Sequence, residues 1–189
     1  MSGRKQIEKS LGDILSQYQQ SFTGKVYLEE NDESDFLMDT FALTPQLKRE
    51  NRQYWGRELG MCWQRLVTEL CSQTCSDFAP GLRIGGDELC DLIVGQQAID
   101  TKYRIGSGDS GTLKKFKAYA RLLAEKGYEP VLLIVRKDNL PAAIKACSSA
   151  GWKVLVENET YEYIRQLTAF DLRKYLHAKA KAYAVERSA

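Results

Sequence analysis

The sequence predicts an α/β protein in which a mixed central sheet is flanked by helices. The first reason is an unbroken apolar run within residues 129–136, which has the composition of a strand buried on both faces of a sheet. The second is the order of helix-like and strand-like segments, α, α, β, β, α, β, α, β, α, which is typical of layered folds. A chain of 189 residues is long enough for one sizeable core, so a single domain is predicted.

The first part of the chain is predicted to contain two helices separated by an acidic segment. Apolar residues at helical spacing predict a short amphipathic helix over residues 6–18. Residues 29–39 include six acidic side chains and no basic one, and they are predicted to form a loop or irregular arm. A second helix is expected to be capped by Thr44, to have Pro45 in its first turn and to run to about Cys71.

A β-hairpin is predicted in the middle of the chain. Two strand-like runs, residues 89–94 and 98–104, are separated by three residues that begin with a glycine. A glycine-rich turn at residues 106–111 then leads into a helix that is expected to end at Gly127.

The rest of the chain alternates between the two kinds of element. The buried strand at residues 129–136 is followed by a predicted helix at 141–150 and a predicted strand at 152–156. One or two helices are expected from Thr160 onward. The order of these segments places the apolar strand in the interior of the sheet.

Three polar residues of the hairpin predict a catalytic site. Strand alternation puts Asp100 and Lys102 on one face, and pairing of the two strands brings Asp91 towards Asp100. Two close carboxylates repel each other unless a cation lies between them, and oxygen ligands favour Mg²⁺. Phosphodiester hydrolysis needs charge stabilisation on the phosphate and an activated water, which Mg²⁺ and a lysine can provide.

At these residues the sequence resembles the PD-(D/E)xK nuclease superfamily, and restriction endonucleases in particular. The resemblance rests on residues 91–95 (DLIVG), a short turn and residues 98–104 (AIDTKYR), and it covers roughly residues 55–156. It implies a restriction-endonuclease-like fold, hydrolysis of double-stranded DNA and metal binding by Asp91 and Asp100. It also implies that Lys102 serves the attacking water.

The sequence departs from the family pattern or leaves a choice open at several acidic positions. Cys90 stands before Asp91 where family members often have a proline, and Asp87 is a rival for the first acid. Asp91 is preferred because it adjoins the apolar strand. Family members often add an acid from the preceding helix, where Glu58 and Glu69 lie on the same side. Glu58 is the expected third catalytic and metal-binding acid.

The glycine-rich turn at residues 106–111 allows three interpretations. It matches the GxGxxG pattern of dinucleotide-binding folds, but the strand before it carries Asp100 and Lys102 where such a strand should be apolar. It can also be a flexible turn, or its backbone N–H groups can hold a DNA phosphate. On the last interpretation, the residues expected to contact DNA are Arg104, Ser107, Ser110, Lys114 and Lys115.

Composition excludes several classes of protein. Hydrophobic residues make up 43% of the chain and charged residues 28%, so a folded, soluble protein is predicted. Residues 1–20 contain no apolar core, which predicts no membrane segment and a cytoplasmic location. The five cysteines include no CxxC pair and are expected to be reduced thiols.

The predicted site has consequences for organisation and partners. Within the single domain, residues 1–43 are assigned to an N-terminal helical arm, 44–157 to the catalytic core and 158–189 to C-terminal helices. One site cuts one strand, so a double-strand cut needs a homodimer, a larger DNA-recognition subunit or repositioning on the DNA. A junction-resolving or repair nuclease and a non-catalytic DNA-binding module remain as alternative functions.

Overall fold

The computed structural model of the chain describes residues 32–106 and 110–183. The helices in these residues are α1 (Phe36–Thr40), α2 (Pro45–Glu50), α3 (Arg52–Thr74), α4 (Ser110–Glu125), α5 (Pro141–Ser149), α6 (Asn158–Thr168) and α7 (Leu172–Ala178). The strands are β1 (Phe78–Pro80), β2 (Arg83–Ile84), β3 (Asp87–Glu88), β4 (Leu92–Val94), β5 (Gln97–Lys102), β6 (Glu129–Ile134) and β7 (Lys153–Val156). The helix predicted at residues 6–18 lies outside the described residues.

Five strands form one mixed sheet in the order β1-β4-β5-β6-β7. The β1–β4 and β4–β5 pairs are antiparallel, whereas β5, β6 and β7 run parallel. The β4–β5 pair is the predicted hairpin. This architecture confirms the predicted α/β class, a mixed sheet flanked by helices.

Helices cover both faces of this sheet, and each face has its own hydrophobic core. The first core joins Ile99 and Tyr103 to α1, α3, α6 and α7. The second core joins Ala98 to α4 and α5. Successive side chains of a strand point to opposite faces, so β5 contributes to both cores. This position in the interior of the fold is what buries the strand that carries Asp100.

The apolar run at residues 129–136 forms β6, which lies between β5 and β7. Val131 and Leu133 pack in the first core, whereas Leu132 and Ile134 pack in the second. The prediction of a strand buried on both faces is therefore confirmed. The expected helix, strand and final helices that follow it are present as α5, β7, α6 and α7.

The helix predicted from Thr44 to Cys71 is two helices in the structure. The expected cap is present, because Thr44 Oγ1 accepts a hydrogen bond from the backbone N–H of Leu47 at 3.1 Å. The chain leaves helical geometry at Asn51 (φ −151°, ψ 78°), whose side chain caps α3 by accepting from Tyr54 N at 3.0 Å. Asparagine is a favoured N-cap residue, and this local bond favours a break over a continuous helix.

The acidic segment is not wholly irregular, contrary to the prediction. It contains α1, which is capped by Asp35: one carboxylate oxygen accepts from the N–H groups of Leu37 and Met38, both at 2.9 Å. Leu37 and Met38 are buried in the first core. An acidic residue is therefore an N-cap here rather than the sign of a solvated loop.

Three short strands were not predicted. β1 ends in Pro80 and occupies an edge of the sheet, where a strand tolerates proline. β2 and β3 pair only with each other, as a two-stranded ribbon next to the hairpin. Strands of two or three residues are too short to show an alternating pattern.

No helix among the described residues is both long and apolar enough to cross a membrane.

Gly81 lies against the backbone of the segment that carries Asp91. A Cβ atom added at Gly81 would lie 2.1 Å from the carbonyl oxygen of Cys90 and 2.8 Å from that of Asp91. Gly81→Ala is therefore expected to displace this segment and to lower the free energy of unfolding by about 1–3 kcal/mol. Urea unfolding measures the loss. Gly86→Ala is the matched control, since its Cβ would meet nothing within 4 Å, and equal losses in the two variants would contradict the expectation.

Candidate active site

Asp100 and Lys102 form an ion pair on one face of β5. Their Oδ2 and Nζ atoms are 2.6 Å apart, and the ammonium group also donates to the carbonyl oxygen of Thr101 at 3.1 Å. Asp100 is only 9% exposed, whereas 38% of the Lys102 side chain is exposed. A molecule in solvent can therefore contact the ammonium group of Lys102, whereas the carboxylate of Asp100 is nearly buried.

The charges of this pair depend on burial and on nearby acids. Burial raises the pKa of Asp100 to about 6; Lys102 acts to lower it, and Asp91 and Glu88 add to the rise. Burial alone would lower the pKa of Lys102, but the adjacent carboxylates of Asp100 and Asp91 outweigh it and raise that pKa. At neutral pH, Lys102 is therefore an ammonium group, which can donate hydrogen bonds but not remove a proton.

Asp91 lies at the bend before β4 and joins the hairpin to α3. The register of the hairpin ends where Leu92 pairs with Ile99, and the backbone N–H of Asp91 donates to the carbonyl oxygen of Ile99 at 2.9 Å. Its Oδ2 accepts from the N–H and the hydroxyl of Thr101, at 2.7 and 2.6 Å. Its Oδ1 accepts from Gln64 Nε2 at 2.8 Å. Both oxygens of Asp91 are thus engaged by donors of the protein itself.

A hollow of about 180 Å³ opens beside the ion pair. β3, β5 and α4 all contribute to its walls. The lining residues are Glu88, Asp100, Lys102, Thr112, Lys115, Phe116 and Tyr119. The hollow therefore places two acids, two lysines and two aromatic rings around one small volume.

The structure places the other candidate acids in different surroundings. Glu58 pairs with Arg57 at 3.0 Å, and with Glu69 it lines a separate surface groove along α3. The α3 side chain that reaches Asp91 is Gln64. It was not predicted, because glutamine is common on solvated helix faces. Asp87, the rival first acid, pairs with Lys115 on α4 at 3.6 Å.

The residues expected to contact DNA differ in their exposure and in whether the structure describes them. Arg104 is held inside the protein, with 16% of its side chain exposed and its Nε donating to the carbonyl oxygen of Asp138 at 2.8 Å. Lys114 and Lys115 are exposed on α4. Ser107 lies outside the described residues, as does the side chain of Ser110.

The donors around the ion pair are compatible with Mg²⁺. Within residues 32–106 and 110–183, no three acidic, histidine or cysteine side chains are arranged to hold a metal ion. Mg²⁺ does not require such a group, because it is commonly held by one or two carboxylates while water completes its coordination. Asp100 and Glu88 are the two carboxylates that line the hollow beside the ion pair. Asp100 with one further carboxylate fits a hard divalent cation.

The raised pKa makes ionised Asp100 a cost to folding. Between the ordinary value of 3.8 and about 6, the folded chain binds this proton more tightly than the unfolded chain, so the contribution of Asp100 to stability falls as pH rises. Asp100→Asn removes that cost. Without divalent metal, the variant is expected to melt a few degrees above the wild type at pH 8, with the difference shrinking towards pH 4.5. A pH series of thermal unfolding curves measures this, and a lower melting temperature at pH 8 would contradict it.

The chain was compared with family models, with curated proteins and with solved structures, and none of them matches it. Functional interpretation therefore depends on the residue pattern and the geometry of the site.

Proposed function

We propose that the chain is a Mg²⁺-dependent endonuclease that hydrolyses phosphodiester bonds of double-stranded DNA, as a type II restriction endonuclease or its catalytic subunit. The observation that carries this proposal is the Asp100–Lys102 pair, 2.6 Å apart on an interior strand and open to a hollow. Asp91 lies immediately before β4 of the same hairpin, and its negative charge adds to the raised pKa of Asp100.

Each residue of the pair has a distinct role in this proposal. Asp100 is the metal-binding carboxylate, and Asp91 is the second acid that the family resemblance implies. Bound next to Asp100, Mg²⁺ would supply positive charge that stabilises the phosphate in the transition state. Lys102 stays protonated, so it orients the attacking water by hydrogen bonding and adds a second positive charge.

The exposed basic side chains of α4 favour binding of a polyanionic substrate. Four basic side chains are exposed along this helix, next to the hollow that contains the ion pair. They are Lys114, Lys115, Lys117 and Arg121. Contacts of this kind bind phosphates without reading sequence, and they make binding salt-dependent. The helix is the proposed DNA-backbone contact.

A panel of DNA substrates tests the proposed function. Linear duplexes, supercoiled plasmid, phage DNA and a four-way junction are incubated with the protein in Mg²⁺ or in EDTA. Cutting of plasmid and phage DNA into discrete fragments or nicked circles, in Mg²⁺ alone, is the expected result. Selective cutting of the junction would favour a junction-resolving or repair nuclease, and binding without cutting would favour a non-catalytic module.

The oligomeric state decides how two strands would be cut. A homodimer brings two sites to one duplex, whereas a catalytic subunit needs a larger recognition partner. Gel filtration with and without DNA distinguishes these cases, and a monomer that only nicks DNA would favour the second.

A further inference from the structure

We propose that Glu88, on β3, is a metal-binding carboxylate of this site and faces Asp100 across the hollow. The inference rests on the proposed nuclease function and deepens it, because it adds to the site a residue that the sequence pattern did not single out.

The β2–β3 ribbon brings Glu88 to the site. In this ribbon Arg83 pairs with Glu88, and Ile84 pairs with Asp87. The ribbon is tied to α4 by the ion pair between Asp87 and Lys115, whose Oδ1 and Nζ atoms are 3.6 Å apart. Glu88 consequently lines the same hollow as Asp100 and Lys102, although eleven residues separate it from Asp100 in sequence.

Asp91 is already engaged by hydrogen bonds, so a metal ion in the hollow needs another carboxylate ligand. Its two oxygens accept three hydrogen bonds, from Gln64 and from the N–H and hydroxyl of Thr101, at 2.6–2.8 Å. A carboxylate engaged by three donors has fewer lone pairs to offer a cation. These bonds also fix Thr101, the residue between Asp100 and Lys102. Asp91 is therefore well placed to hold the strand, and a second carboxylate that opens into the hollow completes the site.

Glu88 is available for this role. Its present partner is Arg83, whose Nη2 lies 3.2 Å from Oε1, and 73% of the arginine side chain and 39% of the glutamate side chain are exposed. Exposed ion pairs of this kind contribute little to stability. Glu88 and Asp100 line the same hollow, and like charges in one small volume repel each other. A divalent cation between the two carboxylates relieves this repulsion, and two carboxylates with water suit Mg²⁺.

Isothermal titration of the full chain with Mn²⁺ tests the inference without relying on activity. Four proteins are compared: the wild type, Glu88→Gln, Asp100→Asn and Glu125→Gln. Glu125 is the matched control, because it too is a carboxylate in an exposed ion pair with an arginine, Arg121. Glu88→Gln is expected to weaken Mn²⁺ binding on the order of tenfold or more, while Glu125→Gln binds as the wild type does. Melting temperatures confirm that each variant is folded.

The outcomes separate this inference from the proposed function. If Asp100→Asn loses Mn²⁺ binding while Glu88→Gln binds as the wild type does, the inference about Glu88 is overturned and the nuclease proposal stands. A wild type that neither binds Mn²⁺ nor cuts DNA would overturn both.

Discussion

Lys102→Ala is expected to reduce the rate of DNA cleavage on the order of 10³-fold. The ammonium group of Lys102 lies 2.6 Å from Asp100 and opens into the hollow. Its removal takes away the donor that we propose for the attacking water, and it leaves the Asp100 carboxylate without its ion pair. Single-turnover cleavage of supercoiled plasmid in Mg²⁺, at saturating protein, measures the loss.

A lysine outside the site provides the control. Lys145 is exposed on α5, and it is not among the residues that line the hollow. Lys145→Ala is expected to cut at the wild-type rate. If Lys102→Ala also cuts at that rate while remaining fully folded, Lys102 has no part in the chemistry.

Arg136→Ala is expected to have the largest effect on stability, a loss of about 3–5 kcal/mol in the free energy of unfolding. Arg136 is 4% exposed, its Nε lies 2.7 Å from Asp138 Oδ1, and its Nη1 lies 3.4 Å from Asp35 Oδ2. Nη1 also donates to the carbonyl oxygen of Glu33 at 2.8 Å. Truncating this side chain removes the cation that Asp35 and Asp138 share in the interior, and Asp138 is then left with Arg104, whose Nε lies 3.2 Å from its Oδ2. Urea unfolding at neutral pH measures the change.

Arg121→Ala is the comparison for this variant. Arg121 forms an exposed i,i+4 pair with Glu125 at 2.7 Å, and such pairs contribute little to stability. A loss in Arg136→Ala no greater than that in Arg121→Ala would mean that the buried network does not stabilise the fold.

The elements that could be predicted are those whose pattern is local and repeated. The apolar run of β6 needs only its own residues to show that both faces are buried. The cap at Thr44 depends on a contact three residues away. The strands β1, β2 and β3 could not be predicted, because two or three residues show no period. The break at Asn51 was missed because residues 48–53 (KRENRQ) contain no apolar side chain that could show a change of spacing.

In the candidate site too, only the features that depend on a local pattern could be predicted. Strand alternation is enough to place Asp100 and Lys102 on one face of β5. The packing of α3 against the hairpin determines the hydrogen bond from Gln64 to Asp91. The packing of the β2–β3 ribbon determines the position of Glu88 in the hollow. Arg104 is held by Asp138, 34 residues further along the chain. Contacts of this kind arise from tertiary packing and leave no pattern in the sequence around each residue.

Cleavage of plasmid and phage DNA by the wild type and by Asp100→Asn tests the central claim most directly. Asparagine keeps the shape of the side chain and is expected to leave the fold at least as stable, so melting curves of both proteins exclude unfolding as a cause. We expect discrete fragments or nicked circles from the wild type in Mg²⁺ and none from Asp100→Asn. Equal cutting by the two proteins would contradict the assignment of Asp100 and its ion pair with Lys102 as the active site.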